Sequence, residues 1–237
     1  MAVAGDPALD IARSHATLLR VARGEAAPLP RVYRPAPALA FGRLDARRPG
    51  FAAAAEAARA HGFSPVMRLA GGQAAAYDGA SLVVEQFLGP DDVGTDLHER
   101  FADMTTLLAE ALGGLGVDAR VGELPGEYCP GEHSVNSAGT LKVAGAAQRV
   151  VRGAALVSAV VVVGHGAAIR DVLVDVYAAL EVDWRPETAG SLDEHHPQLG
   201  VGDVEGAIVA TLGGSALWRS DAATEALAAE LVVRHRV

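Results

Sequence analysis

The stretch LKVAGAAQRVVRGAALVSAVVVV, residues 141–163, reads as two strands joined by a tight turn at Arg152-Gly153. Valine dominates it, and β-branched side chains suit the pleated, half-buried surface of a sheet. Its longest apolar run, 154–163, is about half of the ~20 residues that a membrane helix requires, so buried strand is the better reading.

Working outward, residues 125–138 are rich in Gly, Pro and Ser and read as loop, and 117–124 as a strand. Residues 96–115 place Phe101, Met104, Leu107, Leu108, Ala111 and Leu112 on one face of a long amphipathic helix. Residues 81–88 are Val-rich and strand-like, and 66–69 form a short strand before Ala70-Gly71-Gly72. Tyr77-Asp78-Gly79 is a turn signal. Residues 51–61 are alanine-rich and helical, with Gly62 as the stop. Val32-Tyr33 and 39–41 are short strands, and Asp6-Pro7 caps and opens a helix that runs to Gly24. Beyond the valine run, 167–180 is helical and the final ~50 residues hold one or two more helices by periodicity. The pattern predicts an α+β fold, with a mixed or antiparallel sheet flanked by helices on one side. No internal repeat or linker divides the chain, so residues 1–237 are expected to form one domain.

Hydrophobic residues make up 50% of the 237 and charged residues 21%, which is ordinary for a globular protein and excludes disorder. The net charge is −9, which argues against a chain built to hold nucleic acid or an anionic membrane. One cysteine excludes an internal disulfide and a cysteine-based metal cage. The opening residues MAVAGDPALD show neither a basic nor an apolar leader segment, so a cytoplasmic location is expected.

The basic residues are 19 arginines and a single lysine, Lys142. Asn136 and Cys129 are also singletons, and all three fall between 129 and 142. A lysine retained in an arginine-rich chain marks a place for a compact ammonium with tunable chemistry. Cys129 lies in the Gly/Pro-rich segment Glu127-Tyr128-Cys129-Pro130-Gly131, where a thiol beside a cation is a candidate nucleophile. Burial as an inert thiol is the competing reading. His133 follows four residues on, as a candidate partner or a solvated side chain. In Arg68-x-x-Gly71-Gly72, paired glycines let a ligand approach the backbone and the arginine suits an anion, although paired glycines also serve as simple turns. His195-His196 beside Asp193 and Glu194 reads as polar loop rather than a metal site. Glu85 is either a buried acid or, more simply, an outward strand position.

Arg68-x-x-Gly71-Gly72 with Tyr77-Asp78 resembles the arginine–glycine signature of the lipoate–protein ligase and octanoyltransferase superfamily, to which biotin ligases also belong. Lys142-x-x-Gly145-x-x-Gln148-Arg149 resembles its second signature. Val32-Tyr33-Arg34-Pro35, then Phe41-Gly42-Arg43 and Asp45, resembles the family's opening hairpin. The segment around Cys129 is similar to the nucleophile loop of the cysteine-dependent lipoyl amidotransferase branch. Three positions depart from the family pattern: Gln73 for the third glycine, Tyr77 for a histidine, and Leu82-Val83 for Leu-Asn.

The resemblance implies the biotin/lipoate ligase catalytic fold, with Cys129 and Lys142 catalytic. Arg68, Gly71, Gly72, Tyr77, Asp78, Gly145 and Gln148 would bind substrate. An octanoyl or lipoyl group would pass through a Cys129 thioester to a lipoyl-domain lysine. Lys142 would favour the thiolate and meet the oxyanion. The glycine cleavage H protein and the E2 subunits of 2-oxoacid dehydrogenases would be donor and acceptor, with no metal or nucleotide. The alternatives are a Mg-ATP-dependent lipoate–protein ligase and a non-catalytic member that binds acyl groups or carboxylates.

Overall fold

The computed structural model describes residues 5–90, 94, 96–213 and 217–237. The first four residues of the stretch read for a leader lie outside the described residues. The chain forms α1 (Pro7–Ala22), β1 (Arg31–Tyr33), β2 (Ala38–Phe41), α2 (Phe51–Ala60), β3 (Ser64–Met67), β4 (Ala75–Tyr77) and β5 (Ser81–Leu88). Then come α3 (Leu97–Gly114), β6 (Ala119–Val121), β7 (Val135–Ser137), β8 (Leu141–Val151), β9 (Ala154–Val162), α4 (Gly166–Ala179), α5 (Val201–Thr211) and α6 (Ala222–Leu231).

The valine-rich stretch is the central hairpin. β8 and β9 pair antiparallel from Val151 opposite Ala154 to Ala144 opposite Val161. They sit inside a six-stranded sheet of order β1-β5-β9-β8-β7-β6. A second sheet has the order β3-β2-β4, with β2 parallel to β3 and antiparallel to β4. This is the α+β class expected.

The larger sheet is covered on both faces, not on one. Val157, Ala159 and Val161 of β9 pack with Met104, Leu108 and Leu112 of α3 and Val204 and Ile208 of α5. On the opposite face, Leu156 packs with Leu18 and Val21 of α1, and Val162 with Leu39, Phe41 and Ile169. Successive strand residues point to opposite faces. A strand apolar at all but one position, Ser158, therefore needs cover on both sides, which is why β9 reads as an almost continuous apolar run.

Three other expectations are corrected. β1 and β2 do not form a hairpin: β1 pairs with β5 in the large sheet, and β2 lies in the small one. The strand expected over 117–124 shortens to β6, with Gly116 and Gly122 at positive φ on either side. Glu85 points inward. It is 4% exposed, accepts from Ser14 Oγ at 2.7 Å, and pairs with Arg31 at 3.4 Å. Burial pushes its carboxyl above the usual range, with Arg31 opposing. No helix among the described residues is long and apolar enough to cross a membrane.

The C-terminal residues close onto α1 through two histidines, with His15 Nδ1 3.1 Å from His235 Nε2. Burial depresses both imidazoles, His15 to about 4, and the charge of His235 opposes protonation of His15 further. A histidine depressed on folding takes up a proton more readily when unfolded, so acid favours unfolding. Stability at this contact is complete above the ordinary value of 6.5 and declines as pH falls toward 4. Urea unfolding across that window should show the decline, and His15→Gln should flatten it. An identical decline in the variant would remove this pair as its cause.

Candidate active site

Two backbone turns meet at Cys129. The first follows β3, where Arg68 leads into Gly71 and Gly72. Gly72 has φ +104, and a Cβ there would lie 2.7 Å from Arg68 Nη1 and 3.0 Å from Cys129 Sγ. Glycine is required on both counts. Gly42 supports this turn from below, because a Cβ on it would come 1.9 Å from the Gly72 carbonyl oxygen. Its own N–H donates to Asp45 Oδ2 at 2.8 Å.

The second turn carries Cys129, which is half-buried and has φ 43, an uncommon left-handed conformation for a side-chain-bearing residue. Such a conformation persists only where surrounding bonds over-determine it. Three do so. The Cys129 N–H donates to Tyr177 Oη at 3.0 Å, and its carbonyl accepts from Lys142 Nζ at 2.8 Å. Its Sγ accepts from the Gln73 N–H at 3.1 Å, with Arg68 Nη1 3.9 Å away. Tyr177 Oη in turn donates to the Ala74 carbonyl at 2.9 Å. Burial pushes the Tyr177 hydroxyl well above its ordinary value, so it stays a donor.

Lys142, on β8, is 2% exposed and its ammonium is saturated. It donates to Glu127 Oε1 at 2.7 Å, the Tyr128 carbonyl at 2.9 Å and the Cys129 carbonyl at 2.8 Å. Those are all three of its donors. The sequence placed this ammonium against the thiol, but its hydrogen bonds run to the loop backbone and Glu127. Among the described residues, the cation with a hydrogen bond to Sγ is Arg68. Glu127, 2% exposed, also accepts from Ser134 Oγ and from the Leu124 N–H at 2.9 Å. A Cβ on Gly145 would lie 3.2 Å from Lys142 Cε, so the glycine leaves room for the lysine stem.

Cys129 stands between two cavities. One, of about 360 Å³, is walled by Phe101, Tyr128, Ala146, Val160 and Lys142, and reaches Arg68, Gly71, Gly72, Gly145 and Gln148. The other, of about 390 Å³, is lined by Arg43, Leu44, Gln73 and Arg149. Gly71, Gly72, Cys129 and Pro130 border both. Gln148 ties α3 to β8, accepting from Arg100 Nε at 3.0 Å and donating to the Leu97 carbonyl at 3.0 Å.

Tyr77 and Asp78 do not line the two cavities that Cys129 borders. Tyr77 lines an adjoining cavity of about 60 Å³ with Glu85 and Tyr33, which shares Arg68, Ala75 and Val160 with the apolar cavity beside Cys129. Asp78 accepts from the Ala80 N–H at 2.8 Å and pairs with His165 at 2.7 Å, which pins the β4–β5 turn to the start of α4. His133 stacks on Phe101 at the cavity rim and makes no hydrogen bond to Cys129. His195 bonds Ser137 Oγ at 2.8 Å.

Sequence reasoning missed Glu127, Tyr177 and Gln73. Glu127 was visible as an acid 15 residues from the only lysine, but nothing in the pattern paired them. Gln73 reads as a lost glycine, yet its contribution is a backbone N–H that any residue but proline supplies.

Residues 6–213 match the family model described as the lipoyl protein ligase A/B catalytic domain. The chain belongs to that family. It is 34% identical over 164 residues to an octanoyl-[GcvH]:protein N-octanoyltransferase of Exiguobacterium sibiricum, covering 65% of this chain and 59% of that protein. A second protein so named, from Geobacillus kaustophilus, is 30% identical over 134 residues, 56% of this chain and 47% of its own length. The chain thus spans about half to three-fifths of the relatives it matches. Among solved structures, a crystal structure of lipoate-protein ligase A bound with ATP aligns with TM-score 0.75 and 22% identity, covering 97% of this chain and 91% of that one. A bi-partite lipoate protein ligase from Thermoplasma acidophilum, described with its E2 lipoyl domain, aligns with TM-score 0.73 and 21% identity over 99% and 90%. These two likenesses concern the fold.

The buried ion pair sets a testable cost. Lys142→Met strands the Glu127 carboxylate without its cation, and breaking a buried pair from one side costs about 3–5 kcal/mol. Lys142→Met combined with Glu127→Gln should recover much of that loss in urea unfolding, because the new amide carries no charge and its oxygen still accepts from Ser134 or Leu124. A Lys142→Met protein as stable as the parent would refute the clamp.

Proposed function

We propose that the protein is an acyltransferase of lipoate metabolism that moves an octanoyl or lipoyl group between lipoyl-domain lysines through a Cys129 thioester. One observation carries the reading: the Cys129 thiol is held on the Gln73 N–H between an apolar cavity and a second cavity that bears Arg43 and Arg149. The larger apolar wall of Phe101, Ala146 and Val160 suits an acyl chain. The groove of Arg43 and Arg149 suits the approach of a carrier.

In the first half-reaction, Cys129 Sγ attacks the carbonyl carbon of the donor's acyl-lysine amide. The C–S bond forms, the C–N bond breaks, and the thiol proton leaves with the lysine amine. In the second, an acceptor lysine amine attacks the thioester, the amide forms, and the thiol is restored. Arg68 Nη1 lies 3.9 Å from the attacking sulfur. The Gln73 N–H, aimed at Sγ, lies within reach of the oxyanion that grows on the adjoining carbon. Lys142 acts as a positioning residue that holds the Cys129 carbonyl and so the turn. The donor and acceptor are proteins bearing a lipoyl domain, such as the glycine cleavage H protein and the E2 subunits of 2-oxoacid dehydrogenases.

The second reading is a lipoate–protein ligase. The arginines of that groove favour it, because Arg43 and Arg149 would hold the phosphates of Mg-ATP if a nucleotide binds. The nucleotide would supply activation of a free acid. The position of the thiol has no part in that chemistry.

Intact mass after incubation with octanoylated H protein and no ATP separates the readings. The expected result is a gain of one octanoyl group, lost in hydroxylamine and absent in Cys129→Ala. An adduct that persists in Cys129→Ala would overturn the assignment. Lipoylation of an acceptor domain only when Mg-ATP and lipoate are supplied would establish the ligase instead.

A further inference from the structure

The outer rim of the apolar cavity carries a cluster that the thioester chemistry does not use. His98 lies in the first turn of α3, and Glu132 and His133 follow the Cys129 turn. A ring nitrogen of each histidine and a carboxylate oxygen of Glu132 all lie within 4.8 Å of one another. His98 and Glu132 are exposed, and His133 is half-buried. The His133 ring stacks on Phe101, with centroids 5.1 Å apart and planes 12° apart. Its Nε2 is buried and has no hydrogen-bond partner. A buried polar atom without a partner costs ~1–3 kcal/mol, and a ligand would relieve that cost.

Two imidazoles and one carboxylate are a donor set that zinc takes with three protein ligands and an open fourth position. Imidazole nitrogen selects transition metals over magnesium or calcium, which prefer all-oxygen sites. We propose that His98, Glu132 and His133 hold a divalent transition metal, zinc in preference, that clasps the Cys129 turn to the start of α3. Phe101 fixes one ligand in advance. The other two are surface side chains, which can turn inward to bring their donors to about 2.0–2.2 Å from the metal. The start of α3 is already tied to β8 by Gln148 through the Leu97 carbonyl, so one partner of the clasp is held in place. The proposal stands apart from the thioester reading, since neither Cys129 nor Lys142 is a ligand.

The test uses the full chain carrying Cys129→Ala, so that no thiolate can bind metal. Zinc is titrated by calorimetry, and cobalt by visible absorption. One equivalent should bind with micromolar or tighter affinity, and cobalt should show the intense bands of four- or five-coordination. His98→Ala and His133→Ala should each weaken binding at least about tenfold, by analogy with the 10–100-fold losses seen even for outer-shell changes. His98 is exposed, so its loss leaves the fold intact, which a melting curve without metal checks. His196→Ala should bind as the parent does. Absence of micromolar binding, equal binding in His98→Ala, or loss in His196→Ala would each overturn the proposal. So would binding seen only when Cys129 is retained.

Discussion

A single buried ammonium organises the loop that carries the thiol. Lys142 joins β8, in the middle of the main sheet, to the Glu127 carboxylate and to two successive loop carbonyls. The work needs three donors converging from one point. Lysine supplies that geometry, and the planar fork of arginine does not. The requirement accounts for one lysine standing in a chain with 19 arginines. It also accounts for Gly145, whose missing side chain makes room for the stem.

From that clamp the remaining constraints follow. The Cys129 carbonyl is tied to Lys142 and its N–H to Tyr177, so the residue is held at φ 43 and its side chain faces the Gly71-Gly72 turn. The turn approaches closely because Gly42 and Gly72 lack side chains. The thiol then meets a backbone N–H and a guanidinium between an apolar cavity and one that bears Arg43 and Arg149. The sheet, helix α4 and the Gly71-Gly72 turn each contribute a contact. None of them would place the sulfur alone.

Much of this was legible in the sequence, for physical reasons that can be named. The β8–β9 hairpin announced itself through its valines, α1 through its Asp6-Pro7 cap, and α3 through its apolar periodicity. Cys129, Arg68 and the paired glycines stood out, and the structure brings them together. Lys142 stood out as well, but its direction did not, because a sequence shows that a cation is present and not which oxygen holds it. β7 was hidden, since Val135–Ser137 pairs through backbone bonds in a segment whose composition reads as turn. Tyr177 was hidden differently. On α4 it falls in the apolar stripe, and only the packing of α4 against β4 shows that its hydroxyl anchors Cys129. Tyr77 and Asp78 matched a family pattern in order; β4 carries Tyr77 to a small cavity that adjoins the one beside Cys129, and Asp78 to the turn that follows.

The most direct test of the account is a crystal structure of the octanoylated protein. It should show the acyl chain in the cavity walled by Phe101, Ala146 and Val160. The thioester oxygen should accept from the Gln73 N–H, with Lys142 still bound to Glu127 and the Cys129 carbonyl. A chain lying in the Arg43–Arg149 groove, or a thioester oxygen bound to Lys142 Nζ released from Glu127, would contradict it.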